Sequence, residues 1–196
     1  MTMTVDILKA IAPWSKKTNY KHLPGLALWM DFYFKAFEID TSAEYCHFIC
    51  QAAHETDSFN SLEEYASGKA YEGRKDLGNT VEGYGVKYKG RGIYMTTGYV
   101  NYNRLTARCP DEYDVDFVKN PELLNMPQWA TWSACIYWQD KDFNTIANLP
   151  DTERIWSKKL QRNLSPLEYI TLRINGGFNG YSDRVKFYER AKNIIT

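Results

Sequence analysis

The stretch SGKAYEGRKDLGNTVEGYGVKYKGRG, residues 67–92, carries seven glycines. Each glycine in a helix or strand interior costs roughly 0.5–1 kcal/mol relative to alanine, so a run this dense is kept out of regular structure. It matches no regular period. Residues 61–104 therefore read as one irregular segment, too long for a plain connector, and such segments inside a folded domain often carry function. A phosphate loop is excluded, because GxxxxGK[ST] does not occur and GRGIYMTTG lacks the strand–turn–helix setting.

The core must then come from the flanks, which are helical. DILKAIAP (6–13) is a short amphipathic helix stopped by Pro13. A second helix runs through LPGLALWMDFYFKAFEI, with Leu26, Trp29, Met30, Phe32, Tyr33 and Phe37 at helical spacing. A third starts at Asp40, Thr41 or Ser42, each a candidate N-cap, and buries Tyr45, Phe48, Ile49 and Ala52. Beyond the loops come a Trp-rich helix (127–147), a helix capped by Ser165 and stopped by Asn-Gly-Gly (165–176), and a last one from a Ser/Asp cap (182–195). The expectation is one mostly helical domain over residues 1–196, with about seven helices and at most a short β-hairpin near 84–97. No separate wall-binding module and no internal repeat is expected.

Charge and cysteines narrow the function classes. Lys+Arg and Asp+Glu number 24 each, so electrostatics give no reason to expect a nucleic-acid partner. The beginning, MTMTVDILKAIAPWSKK, has no basic leader followed by an apolar run, and no 18-residue apolar stretch follows, so a soluble protein made in the cytoplasm is expected. Cys46, Cys50, Cys109 and Cys135 form no CxxC pair and read as buried free thiols. Aromatics are 15% of the chain, with 15 Tyr and 6 Trp, a composition that sugar-binding clefts share with ordinary cores.

The end of the third helix is chemically informative. Glu44, His47, Gln51, His54 and Glu55 form one polar stripe, of which Glu44 and His47 are expected to face solvent. A His47–His54 metal pair is disfavoured, since seven residues separate the rings by roughly 10 Å along the axis. Glu55 ends an apolar helix, where desolvation favours a neutral acid. Glu63 and Glu64 lie in a polar turn, where a carboxylate stays ionised. Glycoside hydrolysis needs such a pair, one carboxyl protonated and one ionised.

Four blocks sharpen this reading: AHETDSFNSLEEY, SGKAYEGRKDLGNT, YKGRGIYMTTGYVNY and RINGGFNGYSDRVKFYERA. In this order, and with LKAIAP, LPGL and FEIDT before them, they resemble the family 19 glycoside hydrolases, in the branch of phage endolysins and chitinase-like lysins. The resemblance implies a lysozyme-like, family 19 chitinase-like helical fold with a central cleft. It implies that Glu55 is the general acid and Glu64 the base that activates water, with Glu63 as the fallback. It places Thr97 on that water, Asn101 and Asn175 on substrate, and Arg184 in the cleft network, where it can steer the carboxylates. The family inverts anomeric configuration, which fits carboxyls roughly 6.5–9.5 Å apart.

Two departures stand out. Met95 occupies a position where the family usually has glutamine, and a thioether cannot donate a hydrogen bond. Asp57 and Ser58 replace the small or glycine residues that usually follow HES or HET, and Asp57 puts a second carboxylate two residues from the acid.

The function expected is a peptidoglycan-degrading glycosidase of the endolysin or muramidase kind, cutting β-1,4 bonds without metal or cofactor. The alternatives are a chitinase, a wall-degrading toxin delivered by a secretion apparatus, and a glycan-binding protein with impaired catalysis. The expected partner is peptidoglycan or a chitin-like glycan, with no nucleic acid and no membrane insertion. A monomer is expected, reaching the periplasm or wall by holin-dependent release or by secretion.

Overall fold

The computed structural model describes residues 1–13 and 20–195. Its helices begin and end where local chemistry asks them to. Helix α1 (Val5–Ile11) opens at Thr4, whose hydroxyl accepts from the Ile7 amide. Helix α2 (Leu23–Ala36) has Pro24 in its first turn, where the missing N–H costs nothing. Helix α3 (Ser42–Glu55) starts with a capping box: Thr41 accepts from the Glu44 amide while Glu44 accepts from the Thr41 amide. Two short or loop-borne helices follow, α4 (Tyr84–Lys87) and α5 (Tyr99–Arg108), then α6 (Pro127–Asp140) and α7 (Phe143–Ala147). Helix α8 (Pro166–Asn175) repeats the capping box with Ser165 and Glu168 and stops at Gly176, φ 77°. Helix α9 (Tyr181–Ile194) closes the described chain.

The chain divides into two units, Met1–Asn60 with Cys135–Thr196, and Ser61–Ala134. In the first, α3 lies mainly against α9, with α7 and α8 also on it. Phe48 on α3 meets Trp138, which meets Phe143 edge-on at 5.1 Å. Each such fully buried ring contributes about 1.5–3 kcal/mol. A two-stranded antiparallel hairpin, β1 (Ile155–Ser157) and β2 (Arg162–Leu164), belongs to this unit.

The second unit holds the glycine-rich segment, built round packed tyrosines rather than long helices. Tyr84 stacks on Tyr99 at 5.2 Å, and Tyr88 meets Tyr84, Tyr99 and Tyr102. The buried Asn79 amide pins the loop, donating to the Tyr71 carbonyl and accepting from the Tyr99 amide. The glycines permit close backbone approach: a Cβ on Gly68 would sit 2.5 Å from the Gly85 carbonyl oxygen.

The mostly helical expectation holds, with the fold differing in detail. Nine α-helices occur among the described residues. The hairpin is at 155–164 and not near 84–97, where α4 leads into single-point pairings of Arg91 with Thr96 and with Glu63. The 127–147 helix breaks at Asp142, φ 52°, into α6 and α7, and α9 starts from Gly180 and not from a Ser/Asp cap. Phe32 is exposed. The four cysteines are buried free thiols. No described helix is long and apolar enough to cross a membrane.

Candidate active site

Glu44 and His47 on the polar stripe of α3 are buried, which overturns their expected solvation. Glu44 is enclosed by its capping box and by the Asn148 amide, which donates to it at 2.7 Å. His47 packs against Tyr188 with ring centres 4.5 Å apart, and burial pushes its pKa down to about 4. Such a histidine is neutral near neutral pH. Helical spacing shows which residues share a face; it cannot show that α9 covers that face.

From this stripe a chain of hydrogen bonds leads to Glu55. Gln51 donates to the Thr171 hydroxyl at 2.9 Å. The fully buried Arg184 donates through Nη1 to Gln51 Oε1 and through Nη2 to Glu55 Oε1, each at 2.5 Å. Glu55 therefore ends α3 as one half of an ion pair, not in the apolar pocket its sequence context suggests. Its side chain is 14% exposed, and among the described residues only Oε1 has a hydrogen-bond donor. His54 lies against Gly180, where any Cβ would fall 1.8 Å from its Cε1. Burial first and the Arg184 charge second lower the His54 pKa.

After Glu55 the backbone takes an uncommon path. Asp57, Ser58 and Phe59 all have positive φ, at 50°, 58° and 64°. Left-handed geometry costs roughly 1–2 kcal/mol per non-glycine residue. Burial of Phe59 and the Thr56 hydroxyl, which donates to Ala52 and accepts from the Phe59 amide, hold the turn in place. This is a physical reason for glycine to suit positions 57 and 58. Ser58→Gly should relieve the strain, less the 0.4–1 kcal/mol that glycine adds in unfolded-chain entropy. The net is a stabilisation of up to about 1.6 kcal/mol, or a rise in melting temperature of up to about 6 °C. A lower value in a calorimetric scan refutes strain at Ser58.

In the second unit Glu64 and Glu63 have different surroundings. Glu64 Oε2 accepts from the Tyr71 hydroxyl at 2.9 Å and Oε1 from the Gly90 amide at 2.7 Å, both neutral donors. Burial and this bond raise the Tyr71 pKa. Glu63 instead pairs with Lys89 at 3.2 Å and Arg91 at 3.0 Å. Thr97 donates its hydroxyl to the Met95 carbonyl, and Asn101, at the start of α5, donates to the Thr97 carbonyl. Gly90 is the hub: a Cβ there would lie 3.3 Å from Met95 Cβ, 3.3 Å from Thr97 Oγ1 and 3.4 Å from Glu64 Cδ. Glu64, Thr97 and Met95 are thus brought together, with Asn101 hydrogen-bonded beside them. In the first unit Asn175 ends α8, four residues beyond Thr171.

Sequence reasoning missed Tyr71, the Gly90 amide, Gln51 and Thr171. The first two lie inside the AYEGR and YKGRG blocks, so the motif was visible while its atoms were not. Gln51 was placed on the stripe without a role. Thr171 sits in an ordinary amphipathic helix and gives no sequence signal. Among the described residues, no three His, Cys, Asp or Glu side chains are grouped so as to hold a metal ion.

Met95 is half-buried, at φ 47°, and does not belong to the core. If glutamine there makes one further hydrogen bond to substrate, Met95→Gln should raise turnover roughly two- to tenfold, the worth of about 0.5–1.5 kcal/mol. A less stable and no faster variant shows that Met95 only packs.

No family model matches the chain. A curated "Glycosyl hydrolase family 19 domain-containing protein" of Haemophilus influenzae is 27% identical over 125 residues, covering 64% of this chain and 51% of that protein. The chain thus spans about half the length of the curated relative it matches. Chitinase C from Streptomyces griseus superposes with a TM-score of 0.62 at 15% identity, covering 99% of this chain and 92% of that one. A bacterial family 19 chitinase superposes with a TM-score of 0.61 at 18% identity, covering 100% and 95%. In sequence and in fold the chain is similar to the family 19 glycoside hydrolases.

Proposed function

We propose that the protein is a glycosidase that cuts β-1,4 bonds of peptidoglycan by single displacement, with Glu55 as acid and Glu64 as base. The observation that carries this reading is the contrast between the three glutamates. Glu55 is tethered through one oxygen to Arg184, leaving Oε2 for a leaving group. Glu64 is oriented by two neutral donors that fix it without neutralising it, and each of its oxygens keeps a second lone-pair site for a water proton. Glu63 is taken up by Lys89 and Arg91.

In the proposed step Glu64 takes a proton from a water held near Thr97, and the water oxygen bonds to the anomeric carbon. The glycosidic C–O bond breaks as its oxygen receives a proton carried on Glu55 Oε2, the oxygen Arg184 does not hold; taking up that proton beforehand reduces the Glu55–Arg184 ion pair to a hydrogen bond. The anomeric configuration inverts, and proton exchange with solvent restores both carboxyls. The enzyme acts at the wall, after release or delivery.

Chitin is the second reading, favoured by the chitinases that the chain resembles in fold. Both polymers carry N-acetylglucosamine. Purified sacculi and colloidal chitin, digested in parallel, separate them through new reducing ends and soluble muropeptides. Release from chitin alone overturns the peptidoglycan reading.

A further inference from the structure

Away from Glu55, the first unit has a cavity of about 560 Å³ whose lining includes Lys141, Lys158, Lys159, Arg173, Trp156 and Tyr169. No acidic side chain lines it. None of its four cations forms an ion pair among the described residues. In a chain with 24 basic and 24 acidic residues, such local imbalance is not a property of the whole surface. Four like charges round one concavity repel one another and attract an anion. Lys159 already donates to the Gly176 carbonyl at 2.6 Å and Lys141 lies over the Tyr137 ring, 5.4 Å from its centre, which leaves Lys158 and Arg173 as the donors with no such contact to the lining.

The aromatic part is equally specific. Trp156, in the middle of strand β1 of the two-stranded hairpin, is 55% exposed. A large ring that lines a cavity and is half in water offers a flat amphipathic face on which a sugar or peptide can stack. Arg173 and Tyr169 come from α8, the helix whose Thr171 anchors the Gln51–Arg184–Glu55 chain and whose last residue is Asn175. The cavity therefore borders the same helix that supports the proposed acid.

We propose that this cavity binds the carboxylates of the peptide stem on an acidic glycan strand, with Lys158, Arg173 and Lys141 on the anion and Trp156 against the adjoining sugar or peptide. The inference rests on the peptidoglycan reading and deepens it. Peptidoglycan bears a carboxylate-carrying stem on every second sugar, whereas chitin bears none. The pocket makes the strand's charge, and not only its sugar, part of recognition.

The test uses muramyl dipeptide and its methyl ester, which share sugar and peptide and differ by one carboxylate. Neither contains a glycosidic bond, so binding is read apart from cleavage. In calorimetric titration of the full chain, the free acid should bind roughly two- to fivefold tighter per ion pair than the ester. The advantage should shrink as salt is raised. Lys158→Gln with Arg173→Gln should remove most of the acid's advantage over the ester, with Lys141 and Lys159 left to supply the rest, and Trp156→Ala should weaken both probes. Both charged positions are exposed, and melting curves of the variants check folding. On sacculi the double variant should raise KM with kcat unchanged, and on chitin oligosaccharides it should change neither. Equal binding of acid and ester, or charge variants that leave acid affinity unchanged, overturns the proposal even if sacculi are cleaved. Cleavage of chitin alone, with tight acid binding intact, instead overturns the peptidoglycan reading and leaves the pocket as an anion site.

Discussion

Glu55→Gln leaves a folded protein whose glycan-cleaving rate is lower by about 10²- to 10⁴-fold, the usual contribution of a general acid. The amide matches the carboxyl in volume, and its carbonyl oxygen still accepts from Arg184 Nη2. Arg184 nevertheless loses its counter-ion while fully buried. A hydrogen bond to a charged group is worth about 1.5–3 kcal/mol, and the substitution weakens this one without removing it. The melting temperature should therefore fall by a few degrees, as a domain of this size loses about 2–4 °C per kcal/mol. Loss of rate must far exceed what this destabilisation explains at the assay temperature. Retention of more than a third of wild-type muropeptide release, in a folded variant, eliminates Glu55 as the acid.

Glu64→Gln should lower the rate to a similar degree, whereas its neighbour should separate stability from activity. A glutamine at position 64 still accepts from Tyr71 or Gly90 but cannot take a proton from water. One of its two anchored atoms becomes an NH₂ group facing a donor, so a modest loss of stability accompanies the lost base. Glu63→Gln removes the ion pairs with Lys89 and Arg91. Glu63 is 37% exposed, so the loss is about 1 kcal/mol or less, with the rate nearly unchanged. Initial rates on sacculi, paired with melting curves, distinguish the two. Inactive Glu63→Gln with active Glu64→Gln exchanges the two roles and moves the base by one residue along LEEY.

The helical architecture was legible because each signal was local. Thr41–Glu44 and Ser165–Glu168 are capping boxes readable from four residues, and Gly176 marks a helix end by its tolerance of positive φ. The glycine count argued for an irregular segment over 61–104; the chain there does form loops and turns round tyrosines, but also the short helix α4 and the start of α5, which the glycines did not prevent. The hairpin was misplaced because glycine and alternation near 84–97 look the same in a hairpin and in a loop held by single pairings. The strands at 155–164 are three residues each, too short to show a period.

For the site, the composition of the helix end and turn singled out Glu55, Glu63 and Glu64, and the family resemblance implied that Thr97, Asn101, Asn175 and Arg184 belong beside them. It assigned Glu55 an apolar setting because the residues before it on the helix are apolar. Tertiary structure replaced that setting with Arg184, 129 positions away along the chain. Likewise His47 and Glu44 read as solvated until α9 and the Asn148 side chain were set on them. Which of two adjacent glutamates faces cations and which faces neutral donors depends on Lys89, Gly90 and Arg91 folding back on the turn. Residue identity fixes what a side chain can donate, accept or bury, and short-range spacing fixes the helix it rides on. The field a charged group feels is set by partners distant in sequence, and only the folded chain brings those partners within a few ångströms.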